Sequence, residues 1–185
     1  GPLPGRHIPL PVLAAIKEDK FLPVAELDRG FIRPTYEAQV IVSYMQAGLV
    51  CEYIAARWGQ QGLEAILKEY GAGKETREAL QNALKISAAQ FDEDFAGYVQ
   101  GQLGSVVSQF EPWQEAQQQA QQAYDEKDWM AAVTAAQHAI ELFPDYVDEG
   151  SAYLVKARAH KELGDDAMVT STLLDYRKLG GHDPA

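Results

Sequence analysis

The second half of the chain repeats one pattern of small, aromatic and breaker residues. Seven residues of a first copy recur in the same order and at the same spacing in a second: Ala120, Asp128, Trp129, Ala132, Ala139, Leu142 and Pro144, then Ala157, Asp165, Asp166, Val169, Tyr176, Leu179 and Gly181. Each copy contains a short polar turn, Glu126-Lys127-Asp128 in the first and Leu163-Gly164-Asp165 in the second. Sequence repeats of this length are typical of stacked supersecondary units. We therefore expect two helical hairpins, at about 113–146 and 150–183.

The first half also favours helices. From Thr35 to Trp58 apolar residues recur every three or four positions, which predicts a long helix that Gly59 ends. Its apolar face is expected to contain Val40, Tyr44, Ala47, Cys51, Ile54, Ala55 and Trp58. A shorter helix should follow and end at Gly71 in a left-handed cap.

Two more helices are predicted before the repeats. One covers about 75–84, and the next begins after Ser87, where Ser87 and Gln90 have the spacing of a capping box. Prolines are frequent in residues 1–34, so only short helices fit there, at about 12–20 and 24–28. Small and breaker residues at 101–112 indicate a domain boundary. The prediction is an all-α chain, with a helical subdomain at 1–108 and two repeats at 109–185.

Composition excludes several classes of function. The formal net charge is -11, with 16 basic against 27 acidic residues and no basic run, which argues against nucleic acid as a partner. No apolar run approaches the roughly 20 residues that span a bilayer, so we expect no membrane insertion. Cys51 is the only cysteine, which rules out a disulfide within the chain and leaves the compartment undetermined. The chain begins Gly1-Pro2 without a Met or a signal pattern, so we expect it to be a piece of a longer protein.

No complete catalytic set is present in the sequence. The four histidines, His7, His138, His160 and His182, never recur three to five positions apart, so we expect no metal site and no cofactor in this chain. The segment from Gly71 to Lys74 lacks the flanking residues of a phosphate-binding loop and is expected to be a helix cap and turn. Cys51 is expected to be a small buried apolar residue rather than a nucleophile.

The second half resembles the tetratricopeptide repeat. Ala120, Asp128-Trp129, Ala132, Ala139 and Pro144 match the small, turn and breaker positions of that family. The second copy departs from the pattern, with Val169, Tyr176 and Gly181 at three of these positions. The resemblance implies a superhelix of α-hairpins that binds a protein or peptide. An unrelated pair of helical hairpins is the alternative.

Residues 22–100 bring a second resemblance, which rests on the order of helix-punctuating residues. The matching segments are Leu22-Pro23, Glu26-Leu27-Asp28, Gly30-Phe31, Gln39-Val40, Ser43-Tyr44, Gln46-Ala47-Gly48, Tyr53-Ile54, Trp58-Gly59, Gly73-Lys74, Glu78-Ala79-Leu80, Phe91-Asp92, Phe95 and Tyr98. Their order is similar to the helical region after the zinc motif of bacterial gluzincin-type metallopeptidases of the peptidase-MA superfamily. His-Glu-x-x-His itself is nowhere in the chain. The resemblance therefore implies a non-catalytic C-terminal piece of a zinc-peptidase-like protein, with zinc only in the parent protein.

Two tyrosines acquire a role through that resemblance. In gluzincin-type enzymes a Tyr or His after the ligand helix often donates a hydrogen bond to the reaction's oxyanion. Tyr36 and Tyr44 lie in the stretch that would face such a cleft. Ordinary packing of aromatic side chains is the alternative for both.

A partner-binding groove is predicted on the first helix of each repeat. Its candidate residues are Gln114, Gln118, Gln121, Tyr153, Lys156 and His160. Residues 113–185 contain 6 basic and 13 acidic side chains, so the groove should prefer cationic or neutral peptides. Two alternatives stay open: a repeat scaffold with no peptidase relationship, and repeats that act only as a structural brace.

Overall fold

The computed structural model describes residues 8–148 and 150–182. Within these residues it contains helices and no strand, which confirms the all-α prediction. The helices are α1 (Leu10–Lys17), α2 (Arg29–Ile32), α3 (Gln39–Gly71), α4 (Thr76–Ala79), α5 (Ala88–Asp125), α6 (Trp129–Leu142), α7 (Ala152–Glu162) and α8 (Asp166–Lys178). A 3-10 turn at Val24–Glu26 precedes α2, and a π turn at Leu80–Leu84 follows α4. The contacts divide the chain into two compact units, with the division after Val107.

The core of the first unit is an aromatic cluster between α3 and the first half of α5. The ring of Tyr53 lies 5.2 Å from Phe91, 5.8 Å from Phe95 and 5.3 Å from Tyr98, centroid to centroid. Trp58 packs parallel to Phe91 at 6.3 Å. Phe91 and Leu80 are almost completely buried within the same cluster. Large rings that bury this much surface dominate the packing energy of a small domain.

The long predicted helix exists, but its start and its buried face differ from the prediction. α3 begins at Gln39 rather than near Thr35, and the Gln39 side chain accepts hydrogen bonds from the backbone amide and the hydroxyl of Thr35 in the preceding turn. Gly59 interrupts α3 with a non-helical backbone (φ 71°), where we expected a helix to end. Cys51, predicted to be buried, is exposed.

The buried face of α3 contains polar residues that the apolar pattern could not indicate. Gln46 is 1% exposed, and its side chain bonds to both backbone groups of Leu22, at 3.0 Å to the amide and 2.5 Å to the carbonyl. Ser43 is 1% exposed beside Gly30, where a Cβ atom would lie only 1.9 Å from the serine Oγ. The backbone of α2 therefore packs directly against α3 at this position.

Two predicted caps are partly correct. After α3 the residue in the left-handed region is Gly73 (φ 75°) rather than Gly71, and the backbone amide of Lys74 closes the turn on the carbonyl of Glu69 at 3.1 Å. Ser87 Oγ accepts the amide of Gln90 at 3.2 Å, as a capping box requires. The Gln90 side chain, however, bonds to the carboxylates on the following turn of α5 and not to the Ser87 amide.

Residues 101–112 do not interrupt the helix. α5 continues through them, with Pro112 inside its bounds. In the second unit α6 packs against α7, and α7 packs against α8. Small residues are buried along these helices, as close approach of helices requires: Ala116, Ala120, Ala132, Ala136, Ala139, Ala157 and Ala159.

Candidate functional site

The turns of the two repeats contain the same pair of backbone hydrogen bonds. In the first, the amide of Asp128 donates to the carbonyl of Ala123 at 2.9 Å, and the amide of Lys127 donates to the carbonyl of Tyr124 at 3.0 Å. In the second, the corresponding bonds join Asp165 to His160 at 3.0 Å and Gly164 to Lys161 at 3.0 Å. This pair of bonds is the Schellman motif, which ends a helix at a residue in the left-handed region.

The same turn begins the next helix in both repeats. Lys127 (φ 64°) and Gly164 (φ 75°) occupy the left-handed position. The aspartate that follows caps the next helix: Asp128 Oδ1 accepts the amide of Ala131 at 3.1 Å, and Asp165 Oδ1 accepts the amide of Met168 at 3.1 Å. The sequence repeat is thus a repeat of backbone conformation and capping.

Aromatic contacts hold the first hairpin of the second unit together. Trp113 contacts Phe143 and Tyr146, with centroid distances of 5.3 and 4.9 Å, and stacks on Phe110 at 5.9 Å. The ring of Tyr124, near the end of α5, lies 5.1 Å from that of Trp129 at the start of α6. The ends of the two helices are therefore fixed relative to each other.

Three of the six predicted groove residues form an exposed row on α5. Gln114, Gln118 and Gln121 are exposed and follow one another at spacings of four and three, so they share one face of the helix. Gln121 Nε2 donates to Asp125 Oδ1 at 2.9 Å. Beside the row, three residues after Gln114, the half-buried Gln117 donates from Nε2 to the carbonyl of Gly150 at 3.1 Å. The row presents amide groups that both donate and accept hydrogen bonds.

The other three candidates, on α7, have structural contacts. Tyr153 is 7% exposed, and its hydroxyl donates to the carbonyl of Pro144 at 3.0 Å. His160 is 8% exposed and has no hydrogen-bond partner at either ring nitrogen, with Nδ1 3.9 Å from a carboxylate oxygen of Asp165. Lys156 is half-buried and donates to Gln137 Oε1 of α6 at 2.6 Å.

Arg158 is the α7 residue that the sequence analysis missed. It is exposed between the buried residues Ala157 and Ala159. Tyr153 and Ala157 are four residues apart and lie on one face of α7. If Tyr153 is treated as a packing residue, this spacing predicts that Arg158 lies on the exposed face. The exposed surface of α7 is therefore cationic at this position.

The two tyrosines of the first unit have different environments. Tyr44 is 69% exposed, and its ring makes an edge contact with Phe31 at 4.9 Å. Tyr36 is half-buried, its hydroxyl is buried without a hydrogen-bond partner, and burial raises its pKa while the nearby Lys20 ammonium opposes that rise. Lys20 Nζ lies 5.5 Å from the Tyr36 ring centroid. Tyr36 thus packs among apolar residues, and Tyr44 presents its ring to solvent.

Within residues 8–148 and 150–182, no group of three or more His, Cys, Asp or Glu side chains could hold a metal ion. His138 and His182 are exposed, and His7 lies outside the described residues. In the same part of the chain no helix combines the length and apolar character needed to cross a bilayer.

The chain was compared with family models, with curated proteins and with solved structures, and none of the three comparisons finds a match.

Proposed function

We propose that the second unit is a tetratricopeptide-type module that binds an extended protein segment. The observation that carries the proposal is the identical turn and cap in two successive hairpins, beside an exposed row of glutamines on α5. Stacked helical hairpins of this kind present continuous surfaces that suit extended peptides.

Charge defines the partner that this module would accept. The second unit is strongly acidic, with 6 basic and 13 acidic side chains over residues 113–185. Potentials of one sign attract segments of the other sign and repel segments of the same sign. A lysine-containing segment with free backbone amides fits both the charge of the unit and the amides of Gln114, Gln118 and Gln121.

The direct test is fluorescence anisotropy with three labelled peptides of equal length, one lysine-rich, one neutral and one glutamate-rich. The lysine-rich peptide should bind most tightly. Its affinity should fall as salt is added, because salt screens its attraction to the acidic second unit. Loss of two neutral hydrogen bonds lowers the affinity about tenfold. The double variant Gln118→Ala/Gln121→Ala should therefore bind about tenfold more weakly.

A matched control is available on the same helix. Gln119 is exposed and lies about 100° around α5 from Gln118, so the single variant Gln119→Ala should bind as the parent does. An equal loss in Gln119→Ala and in Gln118→Ala, or equal binding of all three peptides, would remove the glutamine row as the binding surface. The structural-brace role would then be the better account of the repeats.

We propose that the first unit is the helical region that follows the zinc motif in a zinc-peptidase-like protein. The supporting observation is apolar surface left open to solvent at Ile32, Ile41 and Tyr44, which are 71%, 53% and 69% exposed. A neighbouring domain would cover such surface. Zinc, if present, would belong to that domain and not to this chain.

The discriminating observation is the reading frame upstream of Gly1. A helix with His-Glu-x-x-His there supports the peptidase relationship, and the same fold with its histidines replaced indicates a degenerate peptidase. Further helical repeats in that position support the alternative, a repeat scaffold without a peptidase relationship.

A further inference from the structure

A cavity of about 310 Å³ lies in the first unit, between the end of α1, the segment that follows it and the first half of α5. Its wall is mainly apolar, with Ile16, Phe21, Leu22, Phe95 and Val99 contributing most of the large side chains. The rings of Phe21 and Phe95 stack at a centroid distance of 6.4 Å. Ligand sites usually have volumes of about 300–1,000 Å³. This cavity lies at the lower end of that range and suits a small molecule.

Hydrogen bonds across the unit fix the walls of this cavity. The side chain of Gln46, itself part of the lining, holds Leu22 through both of its backbone groups. Asp92 Oδ1 accepts the amide of Val24 at 2.8 Å, which ties the following residues to α5. Because these three bonds join segments that are distant in sequence, the cavity is formed before any ligand enters.

The charged groups in the lining all have one sign. Asp19 and Asp92 contribute carboxylates, and no Lys or Arg is among the lining residues. Asp92 is half-buried, and burial raises its pKa, while the Val24 amide and the more distant Arg77 oppose the rise. A partly buried carboxylate without a cation in direct contact favours a positively charged ligand, which would offset the cost of its desolvation.

We propose that this cavity binds a small organic cation, an ammonium group on a short apolar stem. The stem lies against Phe21, Phe95 and Val99, and the ammonium group donates to the carboxylates of Asp92 and Asp19. This site is in the first unit and is independent of the peptide surface proposed for the second.

The probe for this proposal is hexylammonium, compared with hexanoate and hexanol of the same chain length. Binding is followed by two-dimensional NMR of the full chain, where the Val24 amide reports directly on Asp92. Hexylammonium should shift this amide in a saturable way. Hexanoate should not bind, and hexanol should bind at least tenfold more weakly.

Three variants test the residues. Asp92→Asn keeps an acceptor for the Val24 amide and removes the charge, so it should weaken hexylammonium binding about tenfold. Asp19→Asn should also weaken it. Glu93→Gln removes an exposed charge from the next position of α5, outside the lining, and should leave the affinity unchanged.

Three results would overturn the proposal. Equal binding of hexanol and hexylammonium would mean that the cavity selects only an apolar stem. Unchanged affinity in both Asp92→Asn and Asp19→Asn, with the fold confirmed by NMR, would exclude the carboxylates as ligands. Absence of any saturable shift with hexylammonium would exclude the site.

Discussion

The shared turn of the two repeats predicts opposite effects for two reciprocal substitutions. Lys127 and Gly164 occupy the same left-handed position, with φ of 64° and 75°. Lys127→Gly should stabilise the second unit, and Gly164→Lys should destabilise it. A Cβ atom at Gly164 would have no neighbour within 4 Å, so the second substitution changes backbone strain without a steric clash.

The magnitude follows from two opposing terms. A side-chain-bearing residue in the left-handed region costs about 1–2 kcal/mol. Glycine loses more backbone entropy on folding, a cost of about 0.5–1 kcal/mol. The difference predicts a gain of about 0.5–1 kcal/mol for Lys127→Gly and a loss of the same size for Gly164→Lys. In a unit of this size, 0.5–1 kcal/mol corresponds to a shift of about 2–8 °C in Tm.

Tryptophan fluorescence can isolate the second unit in this assay. The chain has three tryptophans, and in a Trp58→Phe background the remaining two, Trp113 and Trp129, both belong to the second unit. Thermal and urea unfolding should then give shifts of opposite sign for Lys127→Gly and Gly164→Lys. Shifts of the same sign, or no destabilisation by Gly164→Lys, would refute the equivalence of the two turns.

Three further predictions concern the first unit. Gln46→Leu should lower the free energy of unfolding by about 2 kcal/mol in urea titrations, because it leaves both backbone groups of Leu22 without their partner; unchanged stability would mean that water replaces the amide. Phe91→Ala should cost about 3–5 kcal/mol by the same measurement, since the ring is completely buried; a cost below about 1 kcal/mol would contradict the assigned core. The hydrogen bond from Arg57 lowers the pKa of Asp94 in the folded state. The pair therefore stabilises the fold at pH values above the unfolded-state pKa of Asp94. This stabilisation is lost as the pH falls through the lower folded-state pKa. Asp94→Asn should therefore reduce the loss of stability in acid, as measured by unfolding at a series of pH values, and an unaltered pH profile would exclude the pair as a contributor.

Local signals in the sequence were sufficient for the turns of the second unit. The polar turns and the small residues at the helix crossings were predicted, because they are determined within a few neighbouring positions. The aspartate caps on Asp128 and Asp165 were not predicted. Tyr153 and His160 were predicted to be exposed, and both are buried. Spacing along a helix identifies a face, but it does not identify which face a second layer of helices will cover.

Long-range packing explains the larger errors in the first unit. Both faces of α3 contain apolar residues, and the predicted face included Tyr44 and Cys51, which the structure exposes, together with Ile54, which it buries. The true buried face includes Gln46, which is acceptable there only because Leu22 supplies its partners. The cavity depends on similar contacts between distant segments, so no local pattern in the sequence could indicate it.

We propose that the exposed glutamine row of α5 binds an extended cationic segment. NMR shift mapping of the full chain with the lysine-rich peptide tests it most directly. The largest saturable shifts should occur at the backbone amides and side-chain amides of Gln114, Gln118 and Gln121. Shifts confined to residues before Ser108, or no shifts at peptide concentrations of order 1 mM, would contradict binding at the glutamine row.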